Sequence, residues 1–140
     1  MKHKINLCCL FAITLLFQNC IGDAYNKDLN AGYYLLAIDV KEDMSLGFQD
    51  KGSGFGIIEP TIFAVGQNDK FIIVKQHPQV SPNRINKKIT NYFIIPLIEK
   101  FSKFPDKNIY GPLNLEEFKQ KKEILNIKNL NFTIVFKDLE

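Results

Sequence analysis

A chain of 140 residues, 46% hydrophobic and 24% charged, has the composition of one ordinary globular domain, which excludes a disordered or collagen-like polypeptide. Lys and Arg number 18 against 15 Asp and Glu, and Lys2 and Lys4 fall in a leader expected to be removed; the near-neutral remainder lacks the basic field that nucleic acid requires. Cys8, Cys9 and Cys20 all lie in the first twenty residues, so the body has no thiol for a disulfide or a Cys-rich metal site.

Lys2, His3 and Lys4 precede an almost unbroken apolar run from Ile5 to Phe17, the layout of a secretory signal peptide. The run is shorter than the roughly twenty apolar residues that cross a bilayer. It ends at Phe17-Gln18-Asn19-Cys20, which resembles the lipobox of bacterial lipoproteins, although Phe17 and Asn19 stand where that family usually has Leu and a small residue. The resemblance implies a signal peptide over 1–19 and a Cys20 that becomes residue one, its thiol carrying diacylglycerol and its amino group an acyl chain such as palmitate. Chains of this kind, at about 0.8 kcal/mol per buried CH₂, anchor firmly when two or three act together. Residues 20–31 then read as lipidated Cys and polar tether, and 32–140 as a single globular domain. The expected location is the cell envelope, periplasmic or surface-facing, on a bacterial membrane.

Tyr33 to Val40 alternates as a strand, with Tyr34, Leu36, Ile38 and Val40 on one face, and Ser45 to Gln49 is its expected partner. In Asp50-Lys51-Gly52-Ser53-Gly54-Phe55-Gly56 the glycines precede Ile57 and Ile58, which look like strand. A phosphate cradle needs a helix N-terminus there, so a mobile hairpin loop is expected instead. Thr61 to Val65 and Phe71 to Lys75 flank Gly66, Asn68 and Asp69 as an antiparallel hairpin, with Pro60 just before it. Residues 76–91 carry Pro78, Pro82 and no sustained period, and predict a long loop with Arg84, Lys87 and Lys88 in solvent.

Tyr92 to Leu97 is apolar on both faces and predicts a central strand ending at Pro96. Asn114 followed three residues later by Glu117 predicts a capping box. In that helix Leu115, Phe118 and Leu125 form a narrow stripe interrupted by Lys122. Asn131 to Lys137 closes the chain as a final strand. Together these elements predict an α+β fold: a mainly antiparallel sheet of about five or six strands with one helix from the C-terminal half packed on it.

The order of Gly32-Tyr33-Tyr34-Leu35, Ile57 to Gln76, Asn91 to Leu97 and Tyr110 to Leu125 resembles a family of small bacterial lipoproteins with a domain of unknown function. The resemblance spans most of the mature chain, with 76–91 as an insertion. It implies a location and a folded domain, and supplies no catalytic residue.

For catalysis, His77 is expected as a solvated loop side chain, and Ser53 lacks the strand-to-helix turn of a nucleophile elbow. Asp39, Glu42, Asp43 and Asp50 fit no calcium-loop spacing and read as turn and edge solubility. No catalytic, cofactor-binding or metal residue is assigned; Cys20 is the one modification site. The expectation is an uncharacterised envelope lipoprotein with a noncatalytic protein- or ligand-binding domain. It has no cofactor, a membrane contact through lipid, an envelope protein as partner and no nucleic acid. The alternative is an envelope enzyme or enzyme accessory built on scattered carboxylates and tyrosines.

Overall fold

The computed structural model describes residues 24–82, 84–97 and 108–140. The leader and Cys20, with the signal-peptide and lipidation assignments made there, lie outside the described residues. In chain order the strands are β1 (Tyr25–Asp28), β2 (Tyr33–Ala37), β3 (Ser45–Asp50), β4 (Ser53–Ile58), β5 (Ile62–Gln67), β6 (Phe71–Gln76), β7 (Gln79–Ser81), β8 (Arg84–Ile85), β9 (Asn91–Pro96), β10 (Tyr110–Leu113) and β11 (Ile134–Val135). One α-helix, α1 (Leu115–Ile124), lies among the described residues. None of their helices is long and apolar enough to cross a membrane.

The strands form two antiparallel sheets, ordered β1-β2-β3-β4 and β10-β9-β6-β5-β11, with β7 and β8 as a separate small hairpin. The main core lies between the sheets. Tyr33, Leu35 and Ala37 of β2 and Leu46 and Phe48 of β3 meet Ile72 and Val74 of β6 and Phe93 and Ile95 of β9. On the far side of the second sheet, Ile73 and Ile94 pack against Phe118 of α1 and against Ile127. The first sheet is thus covered on one face and the second on both. That is why β2 alternates in burial while Phe-Ile-Ile of β9 is apolar without a break.

Several local expectations hold. Asn68 Oδ1 accepts from the amides of Lys70 and Phe71 at 2.9 and 2.8 Å, fixing the β5–β6 turn. Asn114 Oδ1 accepts from the Glu117 amide at 3.0 Å while Glu117 Oε2 accepts from the Asn114 amide at 2.9 Å, closing the capping box. Lys122, which interrupts the helix stripe, donates to the Leu130 carbonyl at 2.6 Å and so ties down the chain after α1. Its burial lowers its pKa from the usual 10.5.

The α+β class holds, but the structure has two sheets and eleven described strands where one sheet of about five or six was expected. Tyr25–Asp28, inside the stretch read as tether, pairs antiparallel with β2, Tyr25 opposite Ala37. Within 76–91, His77 and Thr61 exchange two backbone hydrogen bonds of 2.9 Å that prolong the β5–β6 hairpin, and β7 and β8 follow. Lys87 is exposed, as expected, and also donates to the backbone oxygens of Asp138 and Glu140 at 3.2 and 2.8 Å. The glycine-rich stretch after Asp50 forms a hairpin as expected, but its turn is only two residues, Lys51 and Gly52 with φ of 48° and 87°, and strand β4 already begins at Ser53. The final strand contracts to Ile134 and Val135, beside Val65 and Ala64.

Tyr33 gives the fold an alkaline limit. Its ring is buried edge-on to Phe48, centroids 5.0 Å apart, and burial raises its hydroxyl pKa above the ordinary 10.0. The folded chain therefore keeps a proton that the unfolded chain releases, so stability is full below about pH 10 and falls as pH rises through that value. Urea unfolding of wild type and Tyr33→Phe at pH 8 and pH 10.5 should show a smaller alkaline loss in the variant.

Candidate functional site

The outer face of the first sheet is shaped by a tyrosine lying over glycines. Tyr34 points away from the core and stands opposite Gly47 on β3. A Cβ on Gly47 would fall 2.4 Å from Tyr34 Cζ, and one on Gly54 of β4 would fall 2.7 Å from its hydroxyl oxygen. The ring therefore spreads across two neighbouring strands, in space that only glycine leaves open. Gly56, paired with Gly47, has nothing within 4 Å of its own Cβ position, so the lane continues uncovered.

Beyond Tyr34 the same face of β2 leads to Leu36 and then Ile38, which is 53% exposed. With Ile58 and Pro60 they line a surface depression of about 330 Å³ that also gathers Asp39, Asp43 and Glu59. No Lys or Arg lines it. Asp43 Oδ1 accepts from Gln79 Nε2 at 3.3 Å, and the same amide reaches the Glu42 carbonyl at 3.0 Å. Thr61 Oγ1 also donates to that carbonyl, so Glu42 contributes through its backbone. Among the described residues no group of three His, Cys, Asp or Glu is arranged to hold a metal ion.

Of the four acids singled out in the sequence, Asp39 and Asp43 meet here. Asp50 stands at the opposite end of β3, its Oδ1 buried without a hydrogen-bond partner among the described residues. Glu59 joins the pair from the chain after β4 and was missed, because only the sheet brings it near. The tyrosine lane was also missed. Its signal was the spacing of Gly47, Gly54 and Gly56, three glycines on the two strands that follow Tyr34 in the sheet.

His77 is not solvated. It is 4% exposed, stacks on Phe63 with centroids 4.2 Å apart, and places Nδ1 2.7 Å from the Ile89 carbonyl. Its ring is a packing element that joins Phe63 of β5 to Ile89 in the 76–91 segment. Ser53 opens β4 from a strand-to-strand turn and is exposed, as its sequence context predicts.

Comparison with curated proteins and with solved structures finds no match. A family model described as "Protein of unknown function (DUF3997)" matches residues 30–139, from just before β2 to the penultimate residue. The match covers both sheets except β1, together with α1, and on that extent the chain belongs to this family.

Proposed function

We propose that the chain is a noncatalytic recognition domain of the bacterial cell envelope. Fatty chains on Cys20 hold it to a membrane, and it binds a protein partner through the outer face of its four-stranded sheet. The observation that carries this reading is the exposed lane of Tyr34 over Gly47 and Gly54, which runs into an apolar depression rimmed by carboxylates. A tyrosine held flat gives a large rigid contact with a polar tip, the kind of side chain enriched at protein interfaces. Leu36 and Ile38 suit an apolar side chain, and Asp39, Asp43 and Glu59 suit a cation beside it. The partner segment is therefore basic and apolar together, drawn in by complementary charge. The membrane part of the reading rests on the basic, apolar leader and the lipobox-like Cys20.

Three variants of the full chain test the two parts, one of them a control. Ile38→Lys sets a cation among the site's apolar contacts and should weaken binding of an alternating Lys-Leu peptide about tenfold or more. Val80→Lys, on the separate β7–β8 hairpin, should leave that binding unchanged. A peptide that ignores the wild type, or responds equally to both variants, refutes the recognition face. Cys20→Ser should move the chain from the membrane fraction to the soluble one, and identical fractionation refutes the anchor.

A further inference from the structure

We infer that the end of the domain at which the chain enters from Cys20 rests on the bilayer itself, with Val80 and Ile89 set into the headgroup layer and Arg84 and Lys88 on anionic phospholipid. The inference rests on the reading that Cys20 carries the anchor. Four residue steps separate Cys20 from Ala24, and at no more than about 3.6 Å per step they reach roughly 14 Å. The Ala24 amide donates to the Ile38 carbonyl at 2.9 Å, so the link joins the domain where β1 starts and β2 ends. A link this short keeps that end beside the bilayer, while the β5–β6 turn stands the length of a six-residue strand away, roughly 20 Å.

The same end carries the 76–91 segment. Thr61 donates through Oγ1 to the Glu42 carbonyl just beyond β2, and its backbone exchanges hydrogen bonds with His77. Gln79 reaches the same Glu42 carbonyl at 3.0 Å, and His77 Nδ1 meets the Ile89 carbonyl at 2.7 Å. The β7–β8 hairpin and Ile89 are thereby fixed beside the entry of the chain, with Val80 58% and Ile89 48% exposed. Charge selects the occupant. From Gln76 to Asn91 the chain has Arg84, Lys87 and Lys88 and no carboxylate. The nearby Asp138 is paired with Lys41 at 3.1 Å, and Arg84 and Lys88 are exposed without an ion pair among the described residues. Exposed apolar side chains among unpaired cations suit an anionic lipid surface, and the link holds such a surface within reach. The contact is too weak to retain a Cys20→Ser chain alone; beside an anchor it acts as the second signal that fixes posture. Standing on this end, the domain leaves the outer face of its first sheet open sideways to a protein partner.

The test places a nitrobenzoxadiazole label on Val80→Cys, Ile89→Cys or Asp69→Cys, all exposed positions, the last in the β5–β6 turn. The chain is purified from membranes and returned to phosphatidylcholine vesicles with or without phosphatidylglycerol. Labels at 80 and 89 should brighten and shift to the blue, most with phosphatidylglycerol, and the label at 69 should not. Arg84→Glu with Lys88→Glu should remove the gain that phosphatidylglycerol brings. Chains that sediment with vesicles yet show no shift at 80 and 89, or an equal one at 69, overturn the inference and leave the anchor standing. A shift indifferent to both lipid charge and the double substitution overturns it too. One that grows with protein concentration without vesicles assigns the surface to a second copy, and one confined to native membranes assigns it to a protein; either overturns the lipid contact. Wild type should take no label, its mature thiol being acylated; a labelled wild type has a bare thiol, and the inference falls with the anchor.

Discussion

Truncating Phe118 to Ala is expected to lower the free energy of unfolding by about 3–4 kcal/mol. Phe118 is the one residue of α1 that is buried, at 4% exposure, while Leu115 and Ile124 at the two ends of the helix are exposed. Its ring stacks on Tyr92 with centroids 4.8 Å apart and lies 6.0 Å from Phe132, over Ile73 and Ile94 of the second sheet. A helix of ten residues is too short to persist in water on its capping box alone, so its docking depends on this ring. Urea unfolding followed by far-ultraviolet circular dichroism should show both the lost stability and a loss of helical signal. Leu115→Ala, one turn earlier and exposed, should stay within about 0.5 kcal/mol of wild type. If the two variants cost the same, the helix is held elsewhere.

The same helix separates what the sequence could reveal from what it could not. Its cap was legible because Asn114 and Glu117 are three residues apart and satisfy each other. The β5–β6 turn was legible for the same reason, Asn68 bonding to amides two and three residues away. Burial of β9 on both faces was legible from its unbroken apolar run. Gly54 was read as loop because the group that explains it, the ring of Tyr34, comes from another strand. His77 was misread because the groups that bury it, Phe63 and the Ile89 carbonyl, are fourteen residues before it and twelve after it. The stretch at Tyr25 looked like tether because a short edge strand acquires its pattern only by pairing with β2. Asp39, Asp43 and Glu59 were never a sequence cluster; the turn after β2 and the exit of β4 bring them to one depression.

Gly66→Ala is expected to cost about 3 kcal/mol, at the upper end of what overpacking a filled site usually costs. Gly66 sits in β5, where the new Cβ would meet the Asn131 carbonyl oxygen at 2.1 Å, its carbon at 2.8 Å and Ile73 Cγ1 at 3.1 Å. The first two are backbone atoms and cannot rotate away. Relief requires the segment before β11 to lift off, and that segment is held by the Thr133 amide on the Val65 carbonyl at 3.0 Å and by the Phe136 amide on the Phe63 carbonyl at 2.8 Å. Either the clash stays or those bonds weaken. Amide hydrogen exchange should therefore accelerate at Thr133 and Phe136 in parallel with the lower urea midpoint. Gly56→Ala offers the contrast within one protein: its Cβ meets nothing within 4 Å, and removing a strand glycine is worth roughly 0.5–1 kcal/mol to the folded chain. Opposite signs for the two substitutions would locate the effect in the crossing of Asn131 over β5. Equal losses would mean that the glycines are retained for backbone freedom instead.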